Sequence, residues 1–331
     1  MVESLGNFNI VKCFTQKNLR HTQYGLGSGK VEEIKEFLQH TKSDKIIVDE
    51  HMTPKQIYNL EKTTGAKVVD RERLILDLFY TRATTSEAKL QIQLAEIKYE
   101  LPRIRENSTL LIGSERPGKG GSGEYIVDVK FRDLKRRMGF IKHKLTEARR
   151  KRELYHDQRL DNRMPIVSLV GYTSSGKTTL FNLLTLESKE TSENLFTTLS
   201  TTTRSFIIGG QKLLLTDTVG FIRRLPTYMI EAFKSTLEES LQADMILLLV
   251  DSSQSEDEIR IKYNSCMNVL EELNVDKEKI VIIFSKMDKA EFDDVKRIFT
   301  ELNILDPILV SPKSGYGVNK LRKSISRKIL L

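Results

Sequence analysis

Cysteine is scarce. The 331 residues hold only two, Cys13 and Cys266. Two thiols this far apart exclude a disulfide scaffold and place the chain with reduced, cytosolic proteins. Long apolar runs are missing too: the longest, such as residues 245–250, fall far short of the ~20 residues needed to cross a bilayer. The first nine residues lack a basic start followed by an apolar stretch, so no secretory signal is expected. There is no helix-turn-helix or zinc-finger pattern, no internal repeat and no sizeable low-complexity segment apart from one glycine-rich stretch. What is present is ordinary for a folded protein: 30% charged and 39% hydrophobic residues, which excludes a mostly disordered chain. A chain of this length reads as two domains, or three.

Lysine and arginine total 53 against 45 acidic residues, a net charge of +8. The excess is local. Residues 130–159 contain 12 Lys and Arg and 4 Asp and Glu, so this segment alone carries +8 and the rest of the chain is neutral. Within it Leu134, Met138, Ile141, Leu145 and Ala148 recur at steps of 4, 3, 4 and 3, one face of a long helix. Upstream, Leu90, Leu94, Ile97, Leu101 and Ile104 follow the same steps. Two such stripes bury each other in an antiparallel hairpin. The glycine-rich link at residues 113–124 is then an exposed, mobile tip. A solvated helix face is the plain reading of the basic stripe. Its clustering points instead to a polyanion surface, and to RNA rather than a specific DNA site.

Residues 9–14, 45–49 and 66–70 read as buried strands, and 31–40 and 55–63 as helices. Thr53-Pro54 supplies an N-cap and a proline at the first helical position. This alternation predicts a small parallel α/β domain over 1–83, followed by the basic hairpin over 84–160 and a linker at 161–165. From Ile166 the strand–helix alternation resumes and runs to residue 331.

Residues 166–170 form an apolar strand pattern that leads into Gly171, Tyr172, Thr173, Ser174, Ser175, Gly176, Lys177 and Thr178. A helical pattern beginning at Thr179 follows. This is the Gly-x-x-x-x-Gly-Lys-Thr phosphate loop in its strand–helix setting. Glycines let the backbone curl so that successive N–H groups face one anion, and the helix N-terminus adds its positive end. Lys177 then reaches the β- and γ-phosphates, and the Thr178 hydroxyl binds Mg²⁺. The second metal element is Asp217, at the end of the run Lys212-Leu-Leu-Leu-Thr-Asp217-Thr-Val-Gly220. Gly220 offers its N–H to the γ-phosphate. A hairpin turning at Gly209-Gly210 precedes it. The threonine-rich segment 196–204 sits where a nucleotide switch places a hydroxyl on Mg²⁺, with Thr202 the first choice and Thr203 the second.

The base is read farther on. Guanine presents adjacent N–H donors that one carboxylate accepts together, and adenine does not. Asp288, in Ser285-Lys286-Met287-Asp288 at a strand end, is placed for this, with the stem of Lys286 covering the base. A last strand ends in Ser311, Pro312 and Lys313, where a main-chain N–H meets the guanine carbonyl. The fold class expected is α/β: a P-loop GTPase domain with a mixed, mostly parallel sheet flanked by helices, preceded by the small α/β domain and its long helical hairpin.

The ordered set of these motifs resembles a translation-factor-class GTPase. Ile47-Val-Asp-Glu, Val68-Val-Asp-Arg, Leu74-Ile-Leu-Asp-Leu-Phe, Gly121-Ser-Gly-Glu124, the segment 196–204 and Asp217-Thr-Val-Gly-Phe221-Ile are similar to HflX GTPases over nearly the whole chain. The resemblance implies a cytoplasmic, monomeric GTP/GDP-binding protein with Mg²⁺. It implies association with the large ribosomal subunit and ribosomal RNA, and a task in ribosome dissociation or rescue under stress.

The glycine-rich tip departs from the family pattern, reading Gly121-Ser-Gly-Glu-Tyr125 in place of the usual Gly-Pro-Gly-Glu-Thr, and so do three single positions. Ser285 stands where asparagine usually begins the guanine motif, and its shorter reach predicts weaker nucleotide affinity. Ser174 stands where asparagine often helps hold potassium, so no potassium dependence is expected. Phe221 follows Asp-x-x-Gly where many GTPases carry a water-orienting glutamine, which predicts slow hydrolysis by the free protein. Arg204, Arg223 and Arg224 are nearby cations left outside the catalytic set. Two other readings stay open on the residues alone. One is an RNA-binding ribosome-assembly module with a mainly structural nucleotide site, favoured by Phe221 and Ser285. The other is an ATP-driven RNA remodeller, against which Asp288 argues.

Overall fold

The computed structural model describes residues 2–6, 8–17, 22–83, 85–112, 122–161, 164–186, 202–218, 220–222, 226, 228–229 and 243–330. They fall into two compact units, 1–81 with 89–147, and 82–88 with 148–331.

The first unit begins as strand–helix alternation. Helix α1 (Ser28–His40) leads to β1 (Lys45–Val48), α2 (Pro54–Thr64) and β2 (Lys67–Asp70). The two strands pair in parallel with Lys45 opposite Lys67 and Val48 opposite Asp70. Helix α2 starts where the sequence indicates. Thr53 accepts from Gln56 N, the Gln56 side chain accepts from Thr53 N at 2.9 Å, Pro54 takes the first turn, and Gly65 ends the helix in the left-handed region. The core between the elements is Leu26, Val31, Ile34, Val48, Met52, Leu60 and Val68.

The strand expected at 9–14 does not form. Its residues pair with no ladder, and Ile10 and Val11 are exposed. Only Phe14 packs on the core, edge-on to Phe37, with the Lys12 ammonium over both rings. Two consecutive apolar residues leave one on each face of a strand, and without a second layer there is nothing for the outer one to cover.

Helix α3 (Arg71–Arg82) follows β2 directly. The long helices α4 (Ser86–Ile112) and α5 (Ser122–Asp161) come next. Nine of the ten stripe positions form one apolar cluster: Leu94, Ile97, Leu134 and Ile141 are buried, and Leu90, Leu101, Ile104, Met138 and Leu145 pack against them. Ala148 lies outside it. Of the glycine-rich tip, residues 113–121 lie outside the described residues, as do Asn162 and Arg163 of the expected linker.

A polar clamp ties α4 to the small sheet. The fully buried Asp70 carboxylate accepts from Arg103 Nη2 at 2.6 Å, from the Tyr99 hydroxyl at 2.9 Å and from Arg73 N at 2.9 Å. The Arg103 guanidinium lies 3.9 Å from the Tyr99 ring centroid and also donates to Met52 O. Burial and the neighbouring carboxylate push the Tyr99 phenol far above its usual range, which keeps it a donor. Between the two clamping residues sits Pro102, inside the helix, where it removes one i→i−4 hydrogen bond.

The second unit is a six-stranded sheet in the order β4-β5-β3-β6-β7-β8. The strands are β3 (Ile166–Gly171), β4 (Thr202–Ile208), β5 (Gln211–Asp217), β6 (Met245–Asp251), β7 (Ile280–Ser285) and β8 (Ile308–Leu309). All neighbours are parallel except β4, which pairs antiparallel with β5 through the Gly209-Gly210 turn. Both turn glycines have positive φ, 57° and 81°, the backbone that a tight two-residue hairpin needs. Helices α6 (Lys177–Thr185), α7 (Glu256–Glu272), α8 (Phe292–Glu301) and α9 (Val318–Leu330) flank the sheet. Strand β6 is buried at every position, as a central parallel strand covered on both faces must be. The parallel register places the carboxyl ends of β3, β5, β6, β7 and β8 along one edge, the edge at which open α/β sheets bind ligands.

Candidate functional site

Five strand ends meet at that edge, and each delivers one motif. Strand β3 opens into the loop Gly171–Gly176, which closes on α6. Three of its residues hold left-handed backbone: Gly171 at φ 150°, Ser174 at 63° and Gly176 at 90°. Gly171 is also steric, because a Cβ there would lie 2.5 Å from Leu249 O on β6. The Thr173 and Ser175 hydroxyls of this loop are buried with no hydrogen-bond partner. Tyr172 is half-buried, with the Lys262 ammonium 5.3 Å from its ring. Thr179 is exposed in the first turn of α6.

Lys177 folds back over the loop. Its ammonium donates to Gly171 O at 3.0 Å and Tyr172 O at 2.7 Å. Burial lowers its pKa to about 8, against the opposing pull of the Asp217 carboxylate. The same burial pushes the Cys266 thiol, on α7 behind the loop, up to about 12, so it is a packing group and not a thiolate.

Strand β5 brings in Asp217. Its Oδ2 accepts from the Thr178 hydroxyl at 3.1 Å, and the residue is fully buried. A carboxylate beside a hydroxyl is a hard-oxygen pair of the kind Mg²⁺ takes alongside phosphate oxygens. Among the described residues no group of three or more His, Cys, Asp or Glu could hold a metal by itself. Thr202 opens β4 directly opposite Asp217 in the antiparallel register. Thr203 faces the other side of the ladder, where its hydroxyl lies 3.0 Å from that of Thr216. The upstream part of this segment, residues 196–201, lies outside the described residues.

Beyond Asp217 the chain docks on the phosphate loop through its main chain. Phe221 N donates to Gly171 O at 3.0 Å and Phe221 O accepts from Thr173 N at 2.8 Å, a short parallel bridge. Gly220 is pressed against the loop: a Cβ there would lie 2.9 Å from Lys177 Nζ and 2.9 Å from Thr173 Cα. Phe221 is buried at 4% exposure, so this segment offers apolar packing where a water-orienting side chain would stand. Arg204 is exposed and donates to Thr203 O, while Arg223 and Arg224 lie outside the described residues.

Strand β7 ends in Ser285, fully buried, whose hydroxyl donates to Ser175 O on the phosphate loop at 2.6 Å, with Val250 O a second acceptor at 3.1 Å. Serine, for all its shorter reach, makes the tie between this strand and the loop. The two elements approach closely enough for one hydroxyl to span them.

Lys286 follows in left-handed backbone, φ 57°, with its ammonium 2.7 Å from Asp251 Oδ2 at the end of β6. Asp251 Oδ1 is held by Ser253 N at 3.0 Å and Ser253 Oγ at 2.7 Å. Sequence reading missed Asp251. The signal was available, an acid closing an apolar strand within reach of the lysine that follows the next one.

Asp288 is exposed, and its Oδ1 accepts from the buried Ser311 hydroxyl at 2.6 Å. That bond, helped by its own backbone N–H and by Lys313 and Lys289, holds its carboxyl below the usual range. The carboxylate is thus ionised and aimed by a neighbour. Ser311 N is already given to Tyr316 O at 2.9 Å and Pro312 has no N–H, so Lys313 carries the first main-chain donor in this turn.

Comparisons with known proteins agree along the chain. A family model described as "GTP-binding GTPase N-terminal" matches residues 1–80, one described as "GTP-binding GTPase Middle Region" matches 82–159, and one described as "50S ribosome-binding GTPase" matches 166–286. The GTPase HflX of Methanocaldococcus jannaschii is 42% identical over 320 residues, 96% of this chain and 79% of that protein. The GTPase HflX of Thermococcus kodakarensis is 37% identical over 332 residues, 98% of this chain and 75% of the relative. Among solved structures, a GTP-binding protein from Sulfolobus solfataricus in complex with GDP matches at TM-score 0.51 and 27% identity, covering 99% of this chain and 93% of that one.

Proposed function

We propose, for a chain that belongs to the HflX family of GTPases and so binds and hydrolyses GTP, that it works on the large ribosomal subunit through ribosomal RNA. Its affinity for that subunit follows the nucleotide state, and its task is to dissociate or rescue ribosomes from a cytoplasmic, monomeric pool. The similar family model named for 50S ribosome binding supports this reading. So does the absence, among the described residues, of any helix long and apolar enough to cross a membrane.

The observation that carries the proposal is the meeting of base-reading and phosphate-binding elements through Ser285. In this reading Gly171 to Thr179 hold the phosphates, and Lys177 transfers its ammonium from the Gly171 and Tyr172 carbonyls to the β- and γ-oxygens. Ser285, Lys286 and Asp288 hold the guanine, with Ser311 aiming Asp288, Lys313 offering its N–H and Pro312 setting the turn. Thr178, Asp217 and Thr202 hold Mg²⁺, which supplies charge neutralisation at the phosphates. Thr203 stays with Thr216 as a strut of the ladder. Gly220, already against Lys177, gives its N–H to the γ-phosphate. Because Phe221 can neither donate nor accept from its side chain, hydrolysis is slow until the ribosome completes the site.

For RNA, the nine Lys and Arg residues from 130 to 150 on α5 are all exposed while the apolar stripe of the same helix packs on α4. That arrangement leaves the positive charge outward, where phosphate backbones bind.

The test is GTP turnover with and without purified large subunits, run beside Lys177→Ala. Subunit-stimulated turnover that the variant loses is the expected result. Equal subunit affinity with GDP and with a non-hydrolysable GTP analogue would refute the nucleotide-dependent association.

A further inference from the structure

The outward face of α5 carries one residue that neither the hairpin core nor the charge argument uses. Phe140 is 63% exposed and lies outside the apolar cluster that joins α4 and α5. Single exposed apolar side chains are common and need no function. This one differs in its neighbours. The positions three and four residues to either side of it, those that share its helix face, are Arg136, Arg137, His143 and Lys144, and all are exposed. The Lys144 ammonium lies 5.8 Å from the Phe140 ring centroid. Glu147, which pairs with Lys144 at 3.6 Å and His143 at 3.7 Å, and Asp133 are the acids on this face.

We infer that Phe140 is a stacking platform for an unpaired RNA base, with Arg136, Arg137 and Lys144 gripping the phosphates on either side of that base. The inference rests on RNA being the partner proposed above, and adds the kind of RNA: a loop, bulge or single strand and not continuous duplex. The chemistry selects this occupant. Cations alone suit any phosphate backbone, and an aromatic ring adds the π-face on which an unstacked base is sequence-tolerantly held. A protein partner would call for a broader apolar patch. On the described part of α5 only Val129 accompanies Phe140 among the large exposed apolar side chains.

The experiment uses the full chain and two labelled RNAs of equal length, a hairpin with a single-stranded purine loop and a perfect duplex, titrated by fluorescence anisotropy. The expected result is that Phe140→Ala weakens binding to the looped RNA about tenfold and leaves duplex binding and its salt dependence unchanged, while Phe140→Trp keeps the parent affinity. Phe140 touches no core, so an unchanged melting temperature certifies that the alanine variant is folded. If Phe140→Ala binds the looped RNA as the parent does, or Phe140→Trp is as weak as Phe140→Ala, the stacking platform is refuted while the RNA partnership stands. If the parent binds neither RNA, or prefers vesicles of anionic lipid to both, the partnership and the platform fall together.

Discussion

Removing the Ser285 hydroxyl tests whether the two halves of the nucleotide site are joined where the structure joins them. In Ser285→Ala the Ser175 carbonyl, on a residue 1% exposed, loses the donor that stands 2.6 Å away. Leaving one buried acceptor unmet costs about 1–3 kcal/mol. In the function proposed above, the loop that carries Ser175 grips phosphate, so the loss should reach GDP and GTP alike. The expected outcome is an affinity about tenfold lower for both, measured by isothermal titration calorimetry with GDP and with a non-hydrolysable GTP analogue. A melting temperature lowered by about 2 °C or more should accompany it. The preference for guanine over adenine nucleotides should not change, because Asp288 and Ser311 are untouched. GDP affinity within twofold of the parent, at an unchanged melting temperature, would refute the tether. Ser285→Asn, which restores the family's usual residue, should not rescue the loss: the site is fully buried at serine size, and the larger amide has to displace its neighbours.

Gly220→Ala places a methyl 2.9 Å from the Thr173 Cα, a backbone atom that cannot swing aside. The two main-chain bonds around Phe221 lengthen at about 1 kcal/mol each, so single-turnover hydrolysis should fall at least about tenfold, with GDP affinity retained within about threefold. Asp251→Asn takes the counter-charge from Lys286, a pair that is partly exposed and worth about 1 kcal/mol; guanine nucleotide affinity should drop about fivefold in the same titration. His51 sits 2.9 Å from Glu72, and that bond raises its pKa above the free value. The stabilisation it brings is present below pH ~6.5 and lost as pH rises through the raised value. The melting-temperature gap between the parent and His51→Gln should therefore be largest at pH 5.5 and close by pH 8.5.

The phosphate loop was legible because its constraints are local. Glycine at 171 and 176, lysine and threonine at 177 and 178, and a strand and helix on either side are all written within residues 166–185. The hairpin was legible for the same reason: a 3-4 repeat over two helices leaves each stripe one partner. Asn9 to Phe14 misled because a two-residue apolar run says nothing about whether a second layer exists to cover it. Ser285 was legible only in part. Side-chain length was readable, but the separation between β7 and the phosphate loop, which decides whether that length suffices, is set by packing across the whole sheet. Asp251 went unseen because its partner stands 35 residues away, brought close only by parallel register. Pro312 was read as part of the guanine turn without its missing N–H being counted, although that was available from chemistry alone.

Helix α4 is 27 residues long, about 40 Å from end to end. Its backbone ladder is interrupted at Pro102, the natural place for such a rod to flex. The Asp70 carboxylate grips the residues on both sides of that interruption. The clamp thereby braces the helix from the end of β2 at the point where Pro102 leaves a backbone hydrogen bond unmade.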